Sequence, residues 1–367
     1  MKRSRDSSKL KFQSGARFSC SSCGKCCRSG FQIPVEQHRA KKVRASSTYQ
    51  SLVKEGYYPL RVEGGVSFLN YDEHEGCYFH RNALCSLHSE HGLSHKPTVC
   101  QMYPFNAVPT PDGVYVSLLY SCPAVVAQKG APLEHHAEEL RELFRSATAD
   151  GFMLSPLKRH ILVTSGSTVT WHQYLELESR LESAFDVVDP VRYLFYSACR
   201  LLRPDPEKTE FQGSSRDQSH LFDDLFTPLV WQVATYLEEM TGHPELDTFF
   251  ESLQQGQPSY SHRMGVDWPK FELLTPFSKA DRQAVGRYVR NLIHGKRLVI
   301  GPSLVCRLLL LAAALALLLF ELRLRRRLEE PNALERVFEI CEERIVSQCM
   351  DLEPLLLEVE EILVSES

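Results

Sequence analysis

The stretch FSCSSCGKCCRSGF, residues 18–31, constrains this chain most. It reads C-x2-C-x2-C-C, with Cys20, Cys23, Cys26 and Cys27 inside eight residues. Cys77, Cys85, Cys100 and Cys122 follow, so eight of the twelve cysteines fall in the first third of 367 residues. Thiolates are soft, strong donors for zinc, iron and iron–sulfur clusters. Two intervening residues let a chain double back so that both sulfurs face one ion, and Gly24 supplies the tight bend. Cys26 and Cys27 are adjacent, so their side chains are expected to point apart and serve two metals, or one cluster and one free thiol. The later four are spaced too widely for a compact zinc ribbon, so strands must bring their sulfurs together. The prediction is convergence of at least six of the eight sulfurs into one or two compact groups, with Cys199, Cys306, Cys341 and Cys349 elsewhere as small buried hydrophobes.

Residues 1–17 are polar and basic and have no apolar core, which reads as a loose arm and not an export signal. The expectation is a cytoplasmic protein, where thiols stay reduced and clustered cysteines favour metal over disulfides. Residues 1–44 carry net charge +10, and residues 328–367 carry −10. These are solvated surfaces, or a basic rim around the metal site that attracts an anionic cofactor or acidic substrate. Apolar content of 43 % is ample for a core.

The expected fold class is α+β: a small irregular cysteine-rich β module holding metal over 18–125, then a mostly helical domain over 126–367. A helix is predicted across 34–57, and short strands or knuckle turns near 66–70, 76–80 and 84–88. Two strands flank PTPDG at 109–113, a hairpin signal that delivers Cys122 and Pro123. Helices are expected near 132–147, 171–186, 189–203, 219–241, 244–255, 279–295, 303–328, 332–349 and 352–364. The apolar run 308–320 has thirteen residues, short of the roughly 20 that span a bilayer. It reads as the central buried helix of the helical domain, with membrane association the lesser reading because of the flanking Arg325–Arg327 run. His74, His80, His88, His91 and His95 crowd the cysteine region, each either an ordinary histidine or a ligand. His88, three residues beyond Cys85, is the best placed. Arg28 and Lys96 would lower nearby thiol pKa values and steady an anionic cluster.

C-x2-C-x2-CC at 20–27, GC at 76–77, CSLH at 85–88, KPTVCQMYPF at 96–105 and SCP at 121–123 together resemble the CxxCxxCC family of zinc- or iron-chelating proteins. The layout, a Ser-Cys-Pro strand end followed by a long helical region, is most similar to flagellin lysine-N-methylases. That resemblance implies an iron–sulfur (4Fe–4S) cluster or zinc/iron on Cys20, Cys23, Cys26, Cys27, Cys77, Cys85, Cys100 and Cys122. It further implies S-adenosylmethionine as cofactor, methyl transfer, and a protein lysine as substrate. The residues themselves show no Gly-rich turn of the doubly wound kind, no C-x3-C-x2-C loop, no P-loop and no H-E-x-x-H, and nothing indicates nucleic acid. A metal-dependent enzyme, a zinc or iron carrier and a structural metal module all remain open, with catalytic residues and oligomeric state unassigned.

Overall fold

A computed structural model of the chain describes residues 9–29, 31–72, 76–153, 155–186, 188–211, 221–226, 228–230, 232–233, 266–267, 272–273, 278–327, 329–342 and 352–366. The helices expected at 219–241 and 244–255, the end of the one at 332–349, His74 and Cys349 lie largely or wholly outside them. The architecture is mixed α+β, with small scattered sheets in the N-terminal part and helices dominating the C-terminal part. The chain divides into two compact units, 1–157 and 158–367.

The first unit opens with β1 (Leu10–Phe12) and β2 (Arg17–Phe18), followed by a one-turn helix α1 (Lys25–Arg28). β3 (Pro34–Val35), α2 (Gln37–Ala45) and α3 (Ser47–Lys54) come next. The single helix expected over 34–57 is therefore broken. Ser46 stands between α2 and α3 in an extended conformation, and its Oγ accepts from the Tyr49 amide as the cap of α3. A hydroxyl that satisfies an otherwise orphaned N–H favours a new helix start over continuation.

β4 (Leu60–Glu63) and β5 (Val66–Leu69) form a hairpin that β3 joins in the order β3-β5-β4. Two small hairpins follow. β6 (Tyr71–Asp72) pairs with β7 (Gly76–Cys77), and β8 (His80–Arg81) pairs with β9 (Leu84–Cys85). The chain then turns helical in α4 (Ser86–His91) and again in α5 (Thr98–Met102). Ile33, Val35, Val43, Leu52, Leu69, Phe79 and Leu87 are buried together with Cys77 as the core of this half.

β10 (Phe105–Thr110) and β11 (Gly113–Leu118) meet across Pro111-Asp112, as the turn chemistry predicts. Thr110 Oγ1 closes the turn on Asp112 Oδ1 and the Gly113 carbonyl, both at 2.8 Å. β1 adds in parallel to β11. Cys122 stands directly before α6 (Pro123–Val126), where Pro123 occupies the first helical position and needs no amide partner. After β12 (Ala131–Pro132), which pairs with β2, comes α7 (Ala137–Ala149). Its Leu140, Leu143 and Phe144 pack on Ala107, Val114 and Val116 of the β10–β11 hairpin, so the first unit runs past 125 to take in this helix.

The second unit begins with a hairpin absent from the sequence reading, β13 (His160–Thr164) and β14 (Ser167–Thr170). Its longer helices among the described residues are α8 (Trp171–Ser183), α9 (Pro190–Arg200), α10 (Lys279–His294), α11 (Leu304–Arg327), α12 (Ala333–Ile340) and α13 (Glu353–Glu366). α8 starts with a capping box between Thr170 and Gln173, and α9 starts on the Asp189 carboxylate. α11 is the apolar helix. By length and composition Leu304–Arg323 could cross a membrane, but 89 % of its most apolar window is buried inside the fold, against α9, α12, α13 and β13. Because it is covered on every side, it needs no polar face.

Polar groups pin this unit at two points. Glu360, fully buried on α13, accepts from the Ser165 amide at 2.6 Å, from the Cys306 thiol at 3.2 Å and from Ser303. Arg325, 3 % exposed, pairs with Glu321 and Glu330, and Arg326 pairs with Asp281. Arg325 and Arg326 of the arginine run therefore close ion pairs inside their own unit.

Candidate metal centre

Four segments far apart in the chain bring Cys26, Cys27, Cys77, Cys85 and Cys100 to the wall of one cavity of about 60 Å³ in the first unit. Each is set by its local structure. Gly24 adopts a left-handed conformation with φ +69° and caps α1, which carries Cys26 and Cys27. A side chain at position 24 would also displace the His80 imidazole and the Arg28 guanidinium, which glycine leaves in place beside the cleft. Gly76, with φ +88°, lets β7 pass so close to α1 that a Cβ would stand 2.5 Å from the Cys27 carbonyl oxygen. That approach places Cys77 beside Cys27. The β8–β9 hairpin presents Cys85 opposite His80.

Cys100 sits on α5, whose entry segment is fixed by buried polar contacts. Arg39, 5 % exposed, donates to the Ser94 carbonyl at 2.9 Å and pairs with Asp150 at 3.3 Å. Thr98 donates its amide to Glu36 at 3.0 Å and its hydroxyl to Asp150 at 2.9 Å.

Cys26 and Cys27 do not point apart. Both line the cavity, and the Cys27 thiol donates to Cys26. In a helical turn neighbouring side chains diverge by only about 100°, so both reach the cavity wall although Cys26 is also exposed to solvent. The shared proton, with Lys96 nearby, lowers Cys26 to about 6 although burial opposes it. Cys27 is correspondingly raised. Burial pushes Cys77 up to about 12, and it raises Cys100 as well, since an isolated thiolate is poorly solvated there. Tyr71, directly across from Cys77 in the β6–β7 register, lines the same cavity, and its hydroxyl is raised by burial and by the thiols around it.

The other three cysteines of the motif are placed differently. Cys20 is exposed and lines a wider, open cleft of about 310 Å³, which shares Cys26, Cys27, Cys85 and Lys96 with the inner cavity. Cys23 is exposed in the loop between β2 and α1, and its carbonyl accepts from Arg28 at 2.9 Å. Cys122 is buried, which pushes its thiol up to about 11; Cys23 and Cys20 are the sulfurs that add to that shift. The inner five thus share one cavity, and Cys20, Cys23 and Cys122 do not line it. Cys199, Cys306 and Cys341 belong to the second unit and are buried there.

Among the histidines, His80 and His88 line the open cleft. The His80 Nε2 is buried without a hydrogen-bond partner. His91 instead contacts Thr48 at 3.2 Å and stacks on His95. The sequence reading favoured His88 and gave His80 no preference. The signal for His80 lay in strand pairing: in a two-residue hairpin it falls opposite Cys85.

Among the described residues no three histidine, cysteine, aspartate or glutamate donors already stand as a formed metal-ligand group. The donor set nonetheless suits a soft or borderline metal: five thiols around one cavity, an orphaned imidazole nitrogen beside it, and no disulfide among the eleven described cysteines.

The site is a thiol-lined cavity built on short hairpins and one-turn helices. Residues 19–123 match the family model CxxCxxCC, described as a "Putative zinc- or iron-chelating domain", and the match covers less than a third of the chain. No curated protein and no solved structure matches the chain.

Proposed function

We propose that the first unit holds a zinc or iron centre through Cys26, Cys27, Cys77, Cys85 and Cys100, with Cys20, Cys23 and Cys122 as the neighbouring thiol group and His80 as a further donor. The single observation that carries the reading is the convergence of five sulfurs from four separate segments on one cavity. Bound metal supplies a positive charge that makes thiolates stable in that apolar site. Cys26, already inclined to ionise, is the first sulfur able to take it up. Cys77 and Cys100 lose their protons only as the metal arrives, so loading releases protons. A reducing compartment such as the cytoplasm keeps the thiols available.

Anaerobic purification with metal analysis and an absorption spectrum tests this. Zinc or iron at about one equivalent or more per chain, lost in Cys77→Ser and retained in Cys199→Ser, is the expected result. A chain that takes up neither metal from either salt overturns the reading. Sulfide together with iron would mark an iron–sulfur cluster, and zinc in a colourless protein would mark a plain thiolate site. Methyl transfer from S-adenosylmethionine to a protein lysine rests on the resemblance alone. Its test is retention of labelled cofactor by the metal-loaded chain, and no retention removes it.

A further inference from the structure

Among the described residues that line the open cleft, Lys96 is the one side chain with a permanent charge. The rest of its described ionisable lining is thiols, His80 and His88, with no aspartate or glutamate among the described residues. The Arg28 guanidinium lies over Gly24 at its edge. Burial lowers His80 and Arg28 lowers it further. His88 is lowered by burial and then by Lys96, while Glu139 is the one carboxylate that pulls it back up. Among the described residues no carboxylate pairs with the Lys96 ammonium. At about 310 Å³ the cleft stands at the small end of ligand pockets, which start near 300 Å³. It shares Cys26, Cys27 and Cys85 with the inner cavity, so a molecule in the cleft touches the same sulfurs that face the proposed metal.

We propose that this cleft is the port through which metal enters and leaves as a complex with a small anionic chelator carrying two or more carboxylates, and that Lys96 is the cation that receives it. The inference rests on the chelation reading. Transfer is ligand exchange without redox: each metal–sulfur bond formed displaces one carboxylate oxygen from the metal, and each thiol that arrives protonated gives one proton to solvent. Lys96 forms no bond to the metal. It concentrates the anion beside Cys26 and offsets its charge when the thiolates gather. A neutral chelator entering the same cleft gains nothing from Lys96, and that asymmetry is the signature.

The chain is loaded with Zn2+, and zinc removal is timed with nitrilotriacetate, an anion, and with 1,10-phenanthroline, which is neutral. The quantity read is the ratio of the two rates, so a change in zinc affinity common to both cancels. Lys96→Gln should lower the anionic-to-neutral ratio about fivefold, the effect of one charge at close range in water. Lys96→Arg should retain the ratio, as should Lys129→Gln, an exposed lysine of the same unit that does not line the cleft. Added salt should shrink the wild-type ratio toward that of Lys96→Gln. An unchanged ratio in Lys96→Gln, or equal loss in Lys129→Gln, overturns the port. A chain that holds no zinc at all overturns the chelation reading itself, and this inference with it.

Discussion

Replacing Gly76 by alanine perturbs the proposed centre without touching a donor. Two costs arise. The φ of +88° is left-handed, which disfavours a residue with a Cβ by about 1 kcal/mol. The new Cβ would also stand 2.5 Å from the Cys27 carbonyl oxygen and 3.0 Å from the Arg28 Cα. Both atoms are backbone, so no rotamer change relieves the contact, and β7 and α1 must separate by most of an ångström. Overpacking of this kind costs about 1–3 kcal/mol more. Gly56 supplies the control: its φ is +91°, and nothing lies within 4 Å of its Cβ position. Gly56→Ala therefore carries the backbone cost alone. The difference, about 1–3 kcal/mol, falls on the distance between Cys77 and the Cys26–Cys27 pair. At 1.4 kcal/mol per decade, zinc affinity should drop roughly tenfold in Gly76→Ala and hardly at all in Gly56→Ala. Competition against a chromophoric chelator on the full chain reads the affinity. Hydrogen exchange at the Cys27 and Tyr78 amides reads the local separation. Equal behaviour of the two variants in both assays would refute the idea that β7 against α1 sets the sulfur geometry.

Zinc affinity should rise with pH between about 6 and 9, with protons released on loading, because the raised Cys77 and Cys100 thiols arrive protonated; calorimetry in buffers of different ionisation enthalpy checks it, and pH-independent binding would contradict it. The metal-free chain should lose stability as pH climbs from 9 toward 12. Folded pKa values raised to about 11 for Cys122 and about 12 for Cys77 favour the protonated form, so their contribution is full below 9 and drains at up to about 1.4 kcal/mol per pH unit per thiol. Urea unfolding at pH 8 and pH 10 reads this loss, and a flat profile counts against it. Glu360→Ala should destabilise the second unit by about 3 kcal/mol, since the Ser165 amide, Ser303 and Cys306 all lose their buried acceptor. A calorimetric midpoint for that unit unchanged within 1 °C would oppose the assignment.

The parts of the fold that were legible in sequence are those whose signals are local. Pro111-Asp112-Gly113 specifies its hairpin through turn dihedrals, and Asp189-Pro190 specifies the start of α9. The run at 308–320 reads as interior because no polar stripe interrupts it, and it lies inside the second unit. The break at Ser46 was missed because periodicity runs across it, and a single hydroxyl decides in favour of a cap. β13–β14 was missed for the opposite reason. Its HILVT and STVT segments are short and lie between stronger helical patterns, and the pairing is completed by the chain reversing at Ser165-Gly166.

For the site, the cysteine motifs identified the candidate sulfurs but not their division. That division depends on how closely backbones approach at Gly76, and such a distance leaves only a glycine as its mark in the sequence. Tyr71 had no chemical signature of its own. It reaches the cavity because it pairs with Cys77 across a hairpin whose register no local pattern announces.

X-ray absorption at the zinc or iron edge of the anaerobically purified chain bears most directly on the whole account. It should show a first shell made chiefly of sulfur, with zinc–sulfur distances of about 2.3 Å if the metal is zinc. That shell should lose sulfur when Cys77 or Cys100 is changed to serine and stay intact when Cys306 is changed. A shell of oxygen and nitrogen alone, or one indifferent to Cys77 and Cys100, would mean that the thiol-lined cavity is not where this chain holds metal.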